Sequence, residues 1–155
     1  MTNDDKKISA SIRIAAPPAT VFAIVADPAQ HPRIDGSGSV RDLIHSDGPI
    51  TAKGQSFRVD MKMFGLPYKI DNRVVEFTQD RQVAWRHFGG HRWRYAITPT
   101  ADGCEVTETF DYSMYPAPGR FFIELAGFPK RNRAGIEGTL ERLKAAAETD
   151  AQKSA

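Results

Sequence analysis

The feature that most constrains this chain is a change of hydrophobic period near Arg120. Ahead of it, apolar residues recur at every second position in a series of short segments; beyond it they recur at helical spacing through one long run. Ile8, Ala10, Ile12 and Ile14 share one face of the first segment, with Ser9, Ser11 and Arg13 on the other. Phe57, Val59, Met61 and Met63 alternate with Arg58, Asp60 and Lys62, and Tyr68, Ile70, Asn72 and Val74 with Lys69, Asp71 and Arg73. Three further segments align Val83, Trp85 and His87, then Trp93, Tyr95 and Ile97, then Cys104, Val106, Glu108, Phe110 and Tyr112. A weaker strand falls near Val40–His45. Short turns join the segments, and Asp102-Gly103 reads as a type I′ hairpin. Consecutive strands connected this way form an antiparallel meander.

Helical signals stand at two places. Pro17 and Pro18 open a short run in which Val21, Phe22 and Val25 keep helical spacing until Pro28. The stretch QHPRIDGSGSV then reads as a loop or a broken turn of helix. From Arg120 to Ala147, Phe121, Leu125, Phe128, Ile136, Leu140 and Leu143 form a stripe, which Pro129 is expected to kink or restart. The expected domain organisation is a flexible N-terminus over 1–6, one α+β domain over 7–148, and a flexible polar tail over 149–155. One long helix is too narrow to cover six to seven strands, so the antiparallel sheet must curl around it.

Charge and composition exclude several classes. The 21 basic and 19 acidic residues are interspersed and give a net charge of +2, which does not suggest a nucleic-acid groove. No window approaches the run of about 18 apolar residues that spans a bilayer. A lone cysteine, Cys104, and a polar opening MTNDDKK point to a cytoplasmic protein. Neither a phosphate-binding glycine loop nor a nucleophile elbow occurs, and no cofactor is implied.

The inward face of the curled sheet carries large side chains: Met61, Met63, Trp85, Trp93, Tyr95, Phe110 and Tyr112. Parity adds Asn72, His87 and Glu108 to the same face. Aromatics fill ordinary cores as well as pockets, but three polar groups on an inner face favour a partly wet space. An apolar enclosure with a few placed polar groups is how small-molecule sites are built.

These segments carry a family resemblance. APPATVFAIVADPAQHPRIDGSGSV after the first strand, GQSFRVDMKM, VVEFTQDRQVAWRHFGG, HRWRYAITPTADGCEVTETFDY and the closing helix together resemble the START-like SRPBCC superfamily, within it the polyketide cyclase/dehydrase and lipid-transport proteins. Ile34 stands where many members place Trp. The resemblance implies a helix-grip fold with an internal cavity for lipids, polyketides, sterols or similar ligands, with catalysis in only some members.

Three readings follow. In the first, the chain binds or carries a hydrophobic or amphipathic small molecule, with Met61, Met63, Trp85, Trp93, Tyr95, Phe110 and Tyr112 as walls and Asn72, His87 and Glu108 orienting a polar end. In the second, a cyclase or dehydratase uses the same cavity, with Glu108 or His87 handling the proton. In the third, an exposed apolar rim serves regulatory contacts. His87 and His91 flank Phe88-Gly89-Gly90 but lack a third ligand in sequence, so no metal site is assigned. Asp35 either fixes its own loop through backbone amides or faces ligand. The Phe64-Gly65-Leu66-Pro67 loop, with Phe121, Phe122 and Phe128, is expected at a cavity mouth, as a lid, as local packing, or in transient membrane contact aided by Lys130, Arg131 and Arg133. Oligomeric state is left open.

Overall fold

The computed structural model describes residues 7–36, 40–46, 48–63, 65–86, 91–113, 115, 118–119, 121, 125 and 127–154, with the backbone alone of 40–46, 60–63 and 128–129. The expected flexible N-terminus, His87, Phe64 and Phe122 lie outside the described residues.

Strand β1 (Lys7–Ile14) is followed by helix α1 (Pro18–Val25), a 3-10 turn over Pro28–Gln30 and the single-turn helix α2 (His31–Ile34). Strands β2 (Val40–Ser46), β3 (Ser56–Met63), β4 (Leu66–Thr78), β5 (Gln82–Arg86), β6 (Arg92–Thr100) and β7 (Gly103–Asp111) come next, and helix α3 (Phe128–Ser154) closes the chain. The seven strands form one antiparallel sheet in the order β1-β7-β6-β5-β4-β3-β2. The meander places each strand beside its successor, and β1 joins the far side of β7 with Ile8 opposite Phe110 and Ala10 opposite Glu108. An α+β helix-grip architecture is thus observed, with short helices after the first strand.

Burial follows the period-two reading. Ile8 and Ile14 are buried on β1, Phe57 and Val59 on β3, and Ile70, Asn72 and Val74 on β4. Proline at the first position of α1 supplies a pre-set φ where no backbone donor is needed, and Val21, Phe22, Ile24 and Val25 bury against the sheet. Asp27 caps the following 3-10 turn by accepting from the amide of Ala29 at 3.0 Å. Helix α3 lies along β1 and β7 and against α1 and α2; Ile136, Thr139, Leu140, Leu143, Ala146 and Ala147 form its buried stripe. Near the far end of α3, the Glu148 carboxylate accepts from the amide of Ala15, just past the end of β1, at 3.0 Å.

The structure corrects two expectations. The tail expected to be flexible from Thr149 is helical to Ser154. Asp150 receives both guanidinium nitrogens of Arg33, at 3.0 and 2.8 Å, and Ala151 packs against the core, so the last two turns have partners that a polar composition conceals. The β6–β7 turn is centred on Ala101 and Asp102, since Thr100 pairs with Gly103. Neither residue has the positive φ that a type I′ turn needs; Gly103 has φ +152, and a Cβ there would stand 2.2 Å from the carbonyl oxygen of Ile14. The glycine serves a close approach to β1 rather than the turn itself. At Pro129 the chain restarts: Gly127 has φ +76, α3 begins at Phe128, and the proline sits in the first turn, where a missing N–H costs nothing.

Candidate functional site

Register brings the predicted residues together in lateral rows on the inward face. One row runs Val74, Trp85, Trp93, Phe110 and Ile8 across β4, β5, β6, β7 and β1. The next runs Phe77, Val83, Tyr95, Glu108 and Ala10. Two residues along from Val74, Asn72 stands opposite Phe57 of β3. Trp85 is buried and Trp93 partly so, and Trp93 meets Phe110 at 4.9 Å between ring centroids. Tyr112 continues the aromatic wall, 5.6 Å from Phe110. Met61 and Met63 lie on β3, but their side chains are outside the described residues.

Glu108 is the polar centre of this wall. It is 4% exposed, and its Oε1 accepts from the phenol of Tyr95 at 3.0 Å. Its Oε2 is buried with no partner, as is the Oδ1 of Asn72, itself 2% exposed. Burial pushes the Glu108 carboxyl up to about 8; the negative charge of Asp35 adds to this, and the Tyr95 hydrogen bond opposes it. Burial, with the adjacent carboxylate, also holds the Tyr95 phenol well above its ordinary range. At neutral pH the pair is therefore a neutral acid beside a neutral phenol. With Oε1 accepting from the Tyr95 phenol, the acid proton is carried by Oε2.

Two residues not singled out as site groups by sequence complete this region. His31 is buried, donates from Nε2 to the carbonyl of Val25 at 2.9 Å, and stacks on Trp85 at 4.9 Å with an interplanar angle of 22°. It also meets Phe57 edge-on at 5.6 Å. Burial lowers its pKa, so it packs as a neutral ring. Its nearest sequence signal was the Pro32 that starts a helical turn, which says nothing about which way the imidazole points. Tyr115 lies beyond β7, and its phenol is 2.7 Å from Nδ1 of His91. His91 contacts Phe110 at 5.2 Å, and burial lowers its pKa to about 4. His91 is thus built into an aromatic corner. Among the described residues no group of three or more His, Cys, Asp or Glu could hold a metal.

Asp35 follows α2, and its negative charge acts on His31, Tyr95 and Glu108 alike. Its place is set by a close crossing of backbones. A Cβ on Gly36 would stand 2.3 Å from the carbonyl carbon of Gly138 in α3, and the amide of Gly36 donates to Thr139 Oγ1 at 2.9 Å. Arg142 adds a hydrogen bond to the carbonyl of Asp35 at 3.1 Å. The backbone on either side of Asp35 thus ties the loop to α3, and the Asp35 charge acts on the inward acid.

Comparison with known proteins agrees with this architecture. The family described as polyketide cyclase / dehydrase and lipid transport matches residues 5–148. The uncharacterized protein Rv0088 of Mycobacterium tuberculosis strain H37Rv is 46% identical over 142 residues, covering 88% of this chain. The chain spans 62% of the length of that curated relative. Among solved structures, the chain is similar to protein NE0264 of Nitrosomonas europaea, with a TM-score of 0.71 and 18% identity, covering 97% of this chain and 98% of that one. It is also similar to the di-domain ARO/CYC StfQ from the steffimycin biosynthetic pathway, with a TM-score of 0.67 and 15% identity, covering 95% of this chain and 52% of that one. At these identities the structural likeness concerns the fold. Among the described residues no helix is long and apolar enough to cross a membrane.

Proposed function

The chain belongs to the polyketide cyclase / dehydrase and lipid transport family, and from that premise we propose that it binds a hydrophobic or amphipathic small molecule between the inward face of the sheet and α3. The observation that carries this reading is the buried, unpartnered Oε2 of Glu108, set beside Tyr95 and bordered by Trp93 and Phe110. A buried polar atom without a partner costs roughly 1–3 kcal/mol, and a ligand's polar end would remove that cost. Asn72 Oδ1 offers a second such atom. The apolar walls supply affinity and the polar pair supplies orientation. The buried, free thiol of Cys104 fits a reducing, cytoplasmic setting.

Gentle native mass spectrometry of freshly expressed protein tests the proposal. The expected result is a mass excess from a retained apolar molecule in the native chain, and its loss in Glu108→Leu that circular dichroism shows to be folded. Failure of the folded native chain to retain any molecule or to take up an aromatic ketone on titration would overturn it.

A second reading, catalysis of an aldol-type cyclisation or dehydration, is favoured by one specific observation. An acid whose pKa stands at about 8 can exchange a proton with substrate near neutral pH. StfQ, a protein of this fold, is described as an ARO/CYC. Glu108→Gln should then abolish turnover while leaving ligand binding nearly intact. Equal loss of both would count against catalysis.

A further inference from the structure

One end of the molecule combines exposed apolar side chains with unbalanced positive charge. Leu66, Phe121 and Leu125 are 70%, 65% and 74% exposed, the large hydrophobic side chains most open to water among the described residues. Phe121 and Leu125 both have helical backbone. Leu66 stands at the tip of the β3–β4 hairpin, opposite Met63.

Topology places Leu66 and the start of α3 at the same end, and Phe121 and Leu125 stand in the sequence between β7 and α3. Lys7, Asp111, Arg92, Arg86 and Arg73 form one lateral row across the sheet. Strand β7 ends on that row at Asp111, and β4 begins beyond it on the same side at Leu66. Helix α3 starts at this end, because its other end is tied to Ala15 through Glu148.

The sequence joining β7 to α3 and opening α3 is also basic. Between Tyr112 and Ile136 the sequence has four basic residues, Arg120, Lys130, Arg131 and Arg133, and one acid, Glu124. Lys62 and Lys69 flank the hairpin with no acid between them. The whole chain has a net charge of only +2, so the remainder is net negative. Lys130 and Arg133 are exposed near the N-terminus of α3, where no acidic residue occupies the first turn. Cations at a helix N-terminus oppose the macrodipole, so this placement weakens the helix and calls for an external anion.

We propose that this end docks on an anionic lipid bilayer, with Leu66, Phe121 and Leu125 entering the interface and Lys130 and Arg133 meeting the headgroups. Apolar side chains rimmed by lysine and arginine suit that surface, the apolar part entering the interface and the cations meeting the anionic headgroups. The proposal concerns access to the molecule's exterior and stands apart from ligand retention, so the two can fail separately.

Sedimentation with sucrose-loaded vesicles tests it. The native chain should pellet with vesicles of equal phosphatidylglycerol and phosphatidylcholine, pellet far less with phosphatidylcholine alone, and release in high salt. Both Leu66→Ser/Leu125→Ser and Lys130→Glu/Arg133→Glu should lower partitioning by at least about tenfold. No pelleting of the native chain with anionic vesicles, or pelleting insensitive to salt, overturns the proposal without any variant. So does a dimer in sedimentation velocity that Leu66→Ser/Leu125→Ser dissolves, which would assign the patch to a second copy.

Discussion

The phenol of Tyr95 donates to Oε1 of Glu108 at 3.0 Å, from neighbouring strands at paired positions. The pair fixes which carboxyl oxygen stays free, and it makes stability depend on pH. Glu108 titrates at about 8 in the folded chain against an ordinary 4.5, so the folded state binds the extra proton between those values and loses stability as pH rises through them. Between pH 6.5 and 8 the buried histidines His31 and His91 offset part of this loss, and native stability should fall by about 1 kcal/mol. Urea denaturation of Glu108→Gln should show no decline over this window. Tyr95→Phe removes the hydrogen bond that favours the carboxylate, and should carry the decline to higher pH. A native profile that stays level would contradict the buried acid.

His91 drives the opposite dependence on the acid side. Its pKa of about 4 lies below the ordinary 6.5 because the ring is buried, so the unfolded chain binds the proton first and stability is lost as pH falls from 6.5 toward 4. His91→Phe keeps an aromatic ring against Phe110 and gives up the bond to Tyr115. At pH 7 the variant should be less stable by about 1 kcal/mol. By pH 4.5 it should exceed the native chain by about 1 kcal/mol. Urea midpoints at the two pH values read this crossover, and parallel curves would exclude it.

Much of this was legible in the sequence because one inner face imposes strict alternation. Asn72, Trp85, Tyr95, Glu108, Phe110 and Tyr112 follow from parity alone, and all are buried. What parity cannot read is the approach of distant segments. His31 enters from a one-turn helix to stack on Trp85, and Tyr115 reaches His91 from beyond β7; no local period links either pair. The last turns of α3 were similarly hidden, since Asp150 finds its partner Arg33 more than a hundred residues away. Gly36 and Gly138 each look like ordinary breakers until the loop and the helix are seen to cross.

That crossing predicts an asymmetric response to the same substitution. Alanine at Gly36 puts a methyl 2.3 Å from backbone atoms of Gly138 and Thr139, which are fixed within α3. The loop must move, the Gly36 amide leaves Thr139, and the cost should reach about 3 kcal/mol. Alanine at Gly138 has its nearest atom at 3.3 Å, and it gains roughly 1 kcal/mol of helix propensity, so the net effect should be near zero. Thermal denaturation of the two variants measures the difference. Equal destabilisation would mean that the contact is not the close one described.

The hydrogen-bond state of Glu108 also predicts how ligand binding depends on pH. Oε1 accepts from Tyr95, so below about 8 the acid proton sits on Oε2 and can be donated to a carbonyl oxygen. Above that pH the carboxylate offers only acceptors and repels a carbonyl. Affinity for a neutral aromatic ketone such as acetonaphthone should therefore fall by at least about tenfold as pH rises well past 8, the scale of one hydrogen bond to a charged or neutralised group. Glutamine reproduces the protonated pattern: its carbonyl accepts from Tyr95 and its amide donates where Oε2 stood. Glu108→Gln should accordingly bind the ketone as the native chain does near neutrality and keep that affinity in alkali, whereas Glu108→Leu should bind weakly at every pH. Tryptophan fluorescence titration across the range separates these outcomes, with Trp93 beside the pair as reporter. A native affinity that rises in alkali would show instead that the ligand's polar end is a donor.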